Sequence, residues 1–199
     1  LNLAAEGLTA GVFRVGDPML DVVRARGADP EAARAAHDLA GPYMLATLHR
    51  PSNVDDPARL ARWATALGAL GLPVVLPVHP RARAGFAQAT IPAALRLIDP
   101  VPHGAMMDLV AGATVVLTDS GGLQKEAFFL GRPCVTLRHE TEWVELVECG
   151  WNALAPEPDQ LATAWQTVQR RPEAPADLYG TGRAGQAIAA RVMSHSPAL

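Results

Sequence analysis

The residues best suited to chemistry lie in one string, Thr118-Asp119-Ser120-Gly121-Gly122-Leu123-Gln124-Lys125-Glu126. It follows the apolar run Val115-Val116-Leu117 and opens into a helical pattern of Leu123, Ala127 and Leu130. That order predicts a buried strand, a tight turn, and a helix whose first turn faces whatever lies beyond the strand end. Ser120 suits an N-cap, and Gly121 and Gly122 bring no Cβ to hold a ligand off the backbone. The first N–H groups of a helix lack partners within it and carry a partial positive charge, so an anion such as a phosphate fits there. Strand-to-helix turns also use Ser-Gly-Gly with no ligand, and the string alone leaves both readings open.

The elements that must position this string alternate along the chain. Strands are predicted at Val12–Val15, Tyr43–Leu48, Val74–Val78, Leu95–Ile98, Cys134–Leu137 and Ala153–Ala155, besides the run before Thr118. Helices are predicted over Met19–Ala25, Pro30–Leu39, Pro57–Leu70, a short stretch through Phe86, Met106–Ala111, Glu142–Glu148, Pro158–Arg170 and Arg183–Met193. Asp29 should cap the second of these with Pro30 at its first position, and Thr141 the one over Glu142–Glu148. The alternation implies an α/β fold, a Rossmann-like doubly wound parallel sheet with helices on both faces. Ligands of such sheets lie outside the carboxyl ends of the strands. There the chain sets His49-Arg50, His79, Asp99, Asp119-Ser120 and Arg138, one polar cluster after each of five strands. A single rim gripping a polar anion follows from that placement.

At 199 residues, 49% hydrophobic and 19% charged, the chain can bury a core and is not disordered. A net charge of −3 with 5% aromatic residues argues against a nucleic-acid surface. No apolar run approaches the ~18–20 residues that cross a bilayer, and no signal peptide stands at the start. A cytoplasmic, reducing setting is therefore expected. Cys134 reads as a small buried thiol, and neither it nor Cys149 has metal-ligand spacing, so no metal and no cofactor is expected. His37 and His195 sit in polar helical contexts and should face solvent. The chain opens at Leu1, with no methionine, and is expected to be a fragment or a processed chain.

The string Thr118–Ala127, followed by Leu130-Gly131-Arg132-Pro133, Leu137-Arg138 and Thr141-Glu142, resembles the signature of the UDP-N-acetylglucosamine 2-epimerases. Thr47-Leu48-His49-Arg50 resembles their His-Arg motif and Pro77-Val78-His79-Pro80 their Pro-Val-His segment. Glu6-Gly7, Val15-Gly16-Asp17 and Tyr179-Gly180-Thr181-Gly182-Arg183-Ala184 resemble further stretches of those enzymes, in the same order. The resemblance implies the second domain of a GT-B fold: residues 1–199 as a UDP-binding domain whose N-terminal partner domain is missing. The final helix, about residues 183–194, would pack on that missing domain. It implies interconversion of UDP-GlcNAc and UDP-ManNAc by elimination and re-addition of UDP, without nicotinamide or metal. This fragment alone would be inactive, because the family's catalytic carboxylates lie in the other half.

Carried over by position, His49 becomes the catalytic histidine near the diphosphate, Ser120, Gly121 and Gly122 the diphosphate loop, and Glu126 the carboxylate holding the ribose hydroxyls. Arg138 matches a further nucleotide-binding position, while Val101 and Met106 stand where the family has a uracil-side glutamine and a nearby phenylalanine, so base recognition is expected to be different or looser. Arg50 and His79 match an activator site for a second UDP-GlcNAc. Dimers are common in the family. The chain departs from it at Lys125, expected on an exposed turn, and at Trp143, where an arginine is usual and an indole can only stack or pack. Pro51 and Ser52 also replace a charged pair. Such changes suit a different sugar, for instance a diacetamido derivative. A GT-B glycosyltransferase domain and a non-catalytic nucleotide-sugar binding module stand as the alternatives.

Overall fold

A computed structural model of the chain describes residues 2–195. It divides into two compact units, residues 27–175 and a smaller one built from residues up to Arg26 and from Ala176 onward.

The larger unit holds six parallel strands: β1 Met44–Thr47, β2 Val74–Pro77, β3 Leu95–Ile98, β4 Val116–Thr118, β5 Cys134–Thr136 and β6 Asn152–Leu154. Their order is β3-β2-β1-β4-β5-β6. The four inner strands are short and largely apolar, as strands covered on both faces must be, while the edge strands β3 and β6 carry Arg96 and Asn152. Met44, Ala46, Val74, Leu76 and Leu117 join one core with Leu60, Trp63, Ala64 and Leu67 of the helix Pro57–Gly68 and with Leu161, Trp165 and Val168 of the helix Leu161–Gln169. The alternate residues Leu45, Val75 and Val116 are equally buried and so point to the other face. There the helix Pro30–Ala36 packs on His103–Gly112, which packs on Gly121–Phe129 beside β4 and β5. The sheet is thus doubly wound and Rossmann-like, as the sequence implies.

Local chemistry explains the element ends. Asp29 caps Pro30–Ala36 by accepting from the Glu31 and Ala32 amides, and Asp56 caps Pro57–Gly68 by accepting from Ala58. Asp38, at φ 48°, breaks the first of these before the predicted Leu39. Gly131, at φ 69°, takes the left-handed conformation that ends Gly121–Phe129. Burial pushes the Cys134 thiol up to about 12, so it is the inert core thiol expected.

Two expectations fail. Thr141 does not cap a helix over 142–148. The helix is Val144–Glu148, and Thr141 Oγ1 instead accepts from the Trp143 amide at 3.1 Å. Nor is Val12–Val15 a strand, although three of its four residues are apolar.

The smaller unit shows why. It contains the helices Asn2–Ala5, Pro18–Arg26 and Ala184–His195, and the Val12–Val15 stretch follows the 177–180 loop rather than a strand. The Arg14 guanidinium donates to the carbonyls of Asp177 and Leu178, and the Asp17 amide donates to Tyr179. Gly16 and Gly180 both have positive φ, and a Cβ on Gly180 would stand 2.8 Å from the Gly16 Cα, so the two backbones touch where no side chain fits. Asp21 accepts from the Ala184 and Gly185 amides and caps the last helix. Phe13, Val22, Val192 and Met193 of this unit are exposed. The side chain of His195 lies outside those described, while His37 is half-buried.

Candidate functional site

The strand order puts the switch of the sheet between β1 and β4, where connections leave in opposite directions and a crevice opens at the carboxyl ends. Register brings Thr47 opposite Thr118, their hydroxyls 2.5 Å apart. The residues just beyond the two strand ends, His49 and Asp119-Ser120, therefore flank the crevice.

Asp119 is fully buried. Its carboxylate accepts from the His49 amide at 3.1 and 3.0 Å, the Arg50 amide at 2.9 Å and Asn53 Nδ2 at 3.1 Å. His49 Nδ1 stands 2.7 Å from it. Burial alone would push this carboxyl up. The bonds from His49, Arg50 and Asn53, with the imidazole's charge, outweigh burial and hold the pKa below the ordinary carboxylate range. Asn53 is itself buried. It donates also to the Leu137 carbonyl at 2.9 Å and accepts from the Trp63 indole at 3.1 Å. A chain of hydrogen bonds thus runs from the core through Asp119 to an imidazole whose side chain is 38% exposed. A ring that gives its Nδ1 proton to a carboxylate presents Nε2 to the cleft.

That cleft, about 390 Å³, is lined among others by His49, His79, Val101, His103, Met106, Ser120, Gly122 and Glu126. Ser120 caps the helix, its hydroxyl accepting from the Leu123 amide at 3.5 Å, while its own amide donates to Thr118 Oγ1 at 2.9 Å. The amides of Gly121 and Gly122, at the first two helical positions, have no acceptor within their helix. A Cβ on Gly122 would meet no protein atom within 4 Å, whereas one on Gly121 would stand 3.4 Å from a Glu142 carboxylate oxygen. Gly122 is thus the glycine that opens backbone to the cleft.

Glu126 is no solvated helix charge. Its side chain is 12% exposed and bonds His103 Nε2 at 2.7 Å. His79 Nδ1 accepts from the Arg81 amide at 3.2 Å, which leaves its ring proton on Nε2, and its ring lies 5.7 Å from that of His49.

Seven of the residues singled out in the sequence therefore meet in one place: His49, His79, Val101, Met106, Ser120, Gly122 and Glu126. Arg50 and Arg138 do not line it; they border a neighbouring groove with Asn53, Arg59 and His139. Arg50 and His79, expected together at an activator site, thus border different hollows. Arg138 is held by Glu142 through two bonds of 2.9 Å, which raise its pKa further. Lys125 is buried, contrary to the exposed turn expected, because Trp143 covers it. Asn53, His103 and the pairing of Asp119 with His49 escape a sequence reading. A polar Asn53 four residues after His49, inside a run that buries Val54, is the one signal that could have suggested the first.

Among the described residues, no group of three or more His, Cys, Asp or Glu could hold a metal ion. None of their helices is long and apolar enough to cross a membrane.

One family profile matches residues 1–193; its description is UDP-N-acetylglucosamine 2-epimerase. The chain is 41% identical over 198 residues to the UDP-2,3-diacetamido-2,3-dideoxy-D-glucuronate 2-epimerase of Pseudomonas aeruginosa, covering 94% of this chain and 55% of that one. It is 28% identical to the UDP-N-acetylglucosamine 2-epimerase of Methanocaldococcus jannaschii, over 94% of this chain and 56% of the relative. The chain spans about half the length of the curated relatives it matches. A crystal structure of the M. jannaschii enzyme with UDP-GlcNAc and UDP superposes with a TM-score of 0.81 at 29% identity, covering 98% of this chain and 58% of that one. The calicheamicin glycosyltransferase CalG4 shares the fold alone, with a TM-score of 0.54 at 19% identity over 80% of this chain and 44% of that one.

Proposed function

The chain belongs to the UDP-N-acetylglucosamine 2-epimerase family, and on that footing we propose that it is the nucleotide-binding half of an enzyme that inverts C2 of a UDP-linked N-acetyl amino sugar. The reaction is loss of the C2 proton with cleavage of the C1–O bond to UDP, giving a 2-acetamidoglucal, then re-addition of UDP and of a proton on the other face. The observation that carries this reading is the cleft in which the Asp119-held imidazole of His49 faces the Ser120–Gly122 turn across the switch of the sheet. Negative charge builds on the β-phosphate as the C1–O bond breaks. The Gly121 and Gly122 amides stabilise it from one side and the His49 Nε2 from the other, both fixed before reaction. His79 belongs in this reading with the diphosphate rather than with a separate activator. Glu126, steadied by His103, takes the ribose hydroxyls, while Val101 and Met106 border the base.

The carboxylates that move the C2 proton belong to an N-terminal domain. In this reading the exposed apolar side chains of the smaller unit, Phe13, Val22, Val192 and Met193, are covered by that domain, and the last helix packs on it. This half alone is inactive.

Two sugars fit. UDP-GlcNAc is the substrate that the family description suggests, and UDP-2,3-diacetamido-2,3-dideoxy-D-glucuronate is favoured by the 41% identity to the Pseudomonas relative. Proton exchange at C2 in deuterated water, followed on the intact protein with each sugar, tests both. Exchange with either supports the reaction class and chooses the substrate. A folded, UDP-binding protein that exchanges neither overturns the class, and acceptor-dependent transfer without exchange would point to a glycosyltransferase.

A further inference from the structure

Lys125 is only 6% exposed, an uncommon place for an ammonium group. Its Nζ lies 4.0 Å from the centre of the Trp143 ring, within the range of a desolvated cation–π contact. The same indole donates from Nε1 to the Gly121 carbonyl at 2.7 Å. The segment that carries it is tied down as well. The Trp143 amide donates to Thr141 Oγ1, the Thr141 hydroxyl donates to Gln124 Oε1 at 2.6 Å, and Gln124 Nε2 donates to the Ser120 carbonyl at 3.1 Å. Asn152 Nδ2 meets the same Gln124 oxygen at 3.0 Å. Residues 141–143 therefore grip the start of the Gly121–Phe129 helix at three points, Gly121, Gln124 and Lys125, and Gln124 passes the hold on to the Ser120 carbonyl.

That turn needs an external grip. Two consecutive glycines leave it without side chains to pack and with the largest backbone freedom to lose. Amides that are to meet an anion must be aimed before it arrives, because electrostatic stabilisation depends on donors already in place. We propose that Trp143 and Lys125 form a positioning pair for the anion-binding turn. The indole, stacked on the buried ammonium, holds Gly121 in the orientation that turns the Gly121 and Gly122 amides toward the cleft. The Lys125 backbone lies one helical turn along from Gly121, roughly 6 Å on the axis, and its ammonium has the sign that favours a diphosphate. The proposal rests on the reading of that turn as the diphosphate site.

A pair that merely packs would weaken every part of the ligand alike; a positioning pair acts on the diphosphate. The test is calorimetric binding of UDP and of uridine to the intact protein and to its variants. Trp143→Ala is expected to weaken UDP about tenfold, through loss of the stack and of the indole bond, and Trp143→Phe about threefold, through loss of the bond alone. Uridine affinity should stay within about twofold of wild type in both. A folded Trp143→Ala protein that binds UDP as wild type does, or that loses uridine by the same factor, overturns the proposal. Should Trp143→Ala fail to fold, Lys125→Met and Trp143→Phe decide on the same ratio of UDP to uridine. Wild-type protein that binds neither ligand would defeat the diphosphate reading itself, an outcome plainly different from a variant that has lost selectivity.

Discussion

The two walls of the cleft are built on opposite principles. On the β1–β4 side, His49 is fastened by a buried carboxylate, which is fastened by Asn53, which is fastened by the Trp63 indole. On the far side Val101 and Met106 are half-buried apolar side chains, beside the pairing of His103 with Glu126. The difference teaches where each kind of precision is needed. A group that meets developing charge must hold its direction, and buried polar networks give direction. A surface that meets a planar base needs area and shape, which apolar side chains supply without fixed angles.

The largest effect is expected where the fixed wall is cut at its centre. Asp119→Ala leaves the His49 and Arg50 amides and Asn53 without their acceptor, and should cost about 3 to 5 kcal/mol in urea unfolding. A loss under about 1 kcal/mol would show that the network is decoration. The same carboxylate sets the acid response. Its folded pKa is depressed, so its contribution is present above the unfolded value of about 3.9 and drains away as pH falls through the folded one. Wild type should therefore lose its advantage over Asp119→Asn on acidification below about pH 4; a gap that stays constant with pH would contradict this.

Next in size, His49→Gln should slow C2 exchange by about a hundredfold or more while leaving unfolding stability within about 1 kcal/mol, because the ring acts on charge and not on the core. Ser120→Ala follows, with UDP binding weaker by about 1 to 2 kcal/mol in calorimetry. Unchanged binding would take Ser120 out of the site. The smallest change belongs to the apolar wall. Met106→Ala should shift the preference among nucleoside diphosphates by under about 1 kcal/mol and leave the exchange rate of bound substrate alone. A large fall in that rate would erase the contrast between the walls.

Much of the frame is legible in the sequence because its causes are local. The strand Leu95–Ile98 agrees to the residue, Asp29 and Pro30 start their helix as expected, and Ser120 sits at its N-cap. Val12–Val15 misleads because a largely apolar run says nothing about whether a ladder partner exists, and here the backbone meets a loop through glycines. The site is legible only as positions. That His49 and Ser120 follow strands can be read directly; that Asp119 points back at His49, 70 residues earlier in the chain, cannot. Lys125 shows the same limit from the other side. A lysine one turn into a helix reads as solvated until the fold lays an indole from residue 143 across it.

The pairing of β1 with β4 sets a schedule for the growing chain. β1, β2 and β3 can associate as soon as they emerge, yet Thr47 meets Thr118 only after 71 further positions have been synthesised. At ~5–20 residues per second, that is a wait of roughly 4 to 14 s. Throughout it β1 shows an unpaired edge of Leu45 and Ala46 to the cell, a template that any stray strand can occupy. Of all the steps in maturation, the arrival of β4 both closes that edge and creates the crevice, so the pocket and the protection against mispairing come into being together.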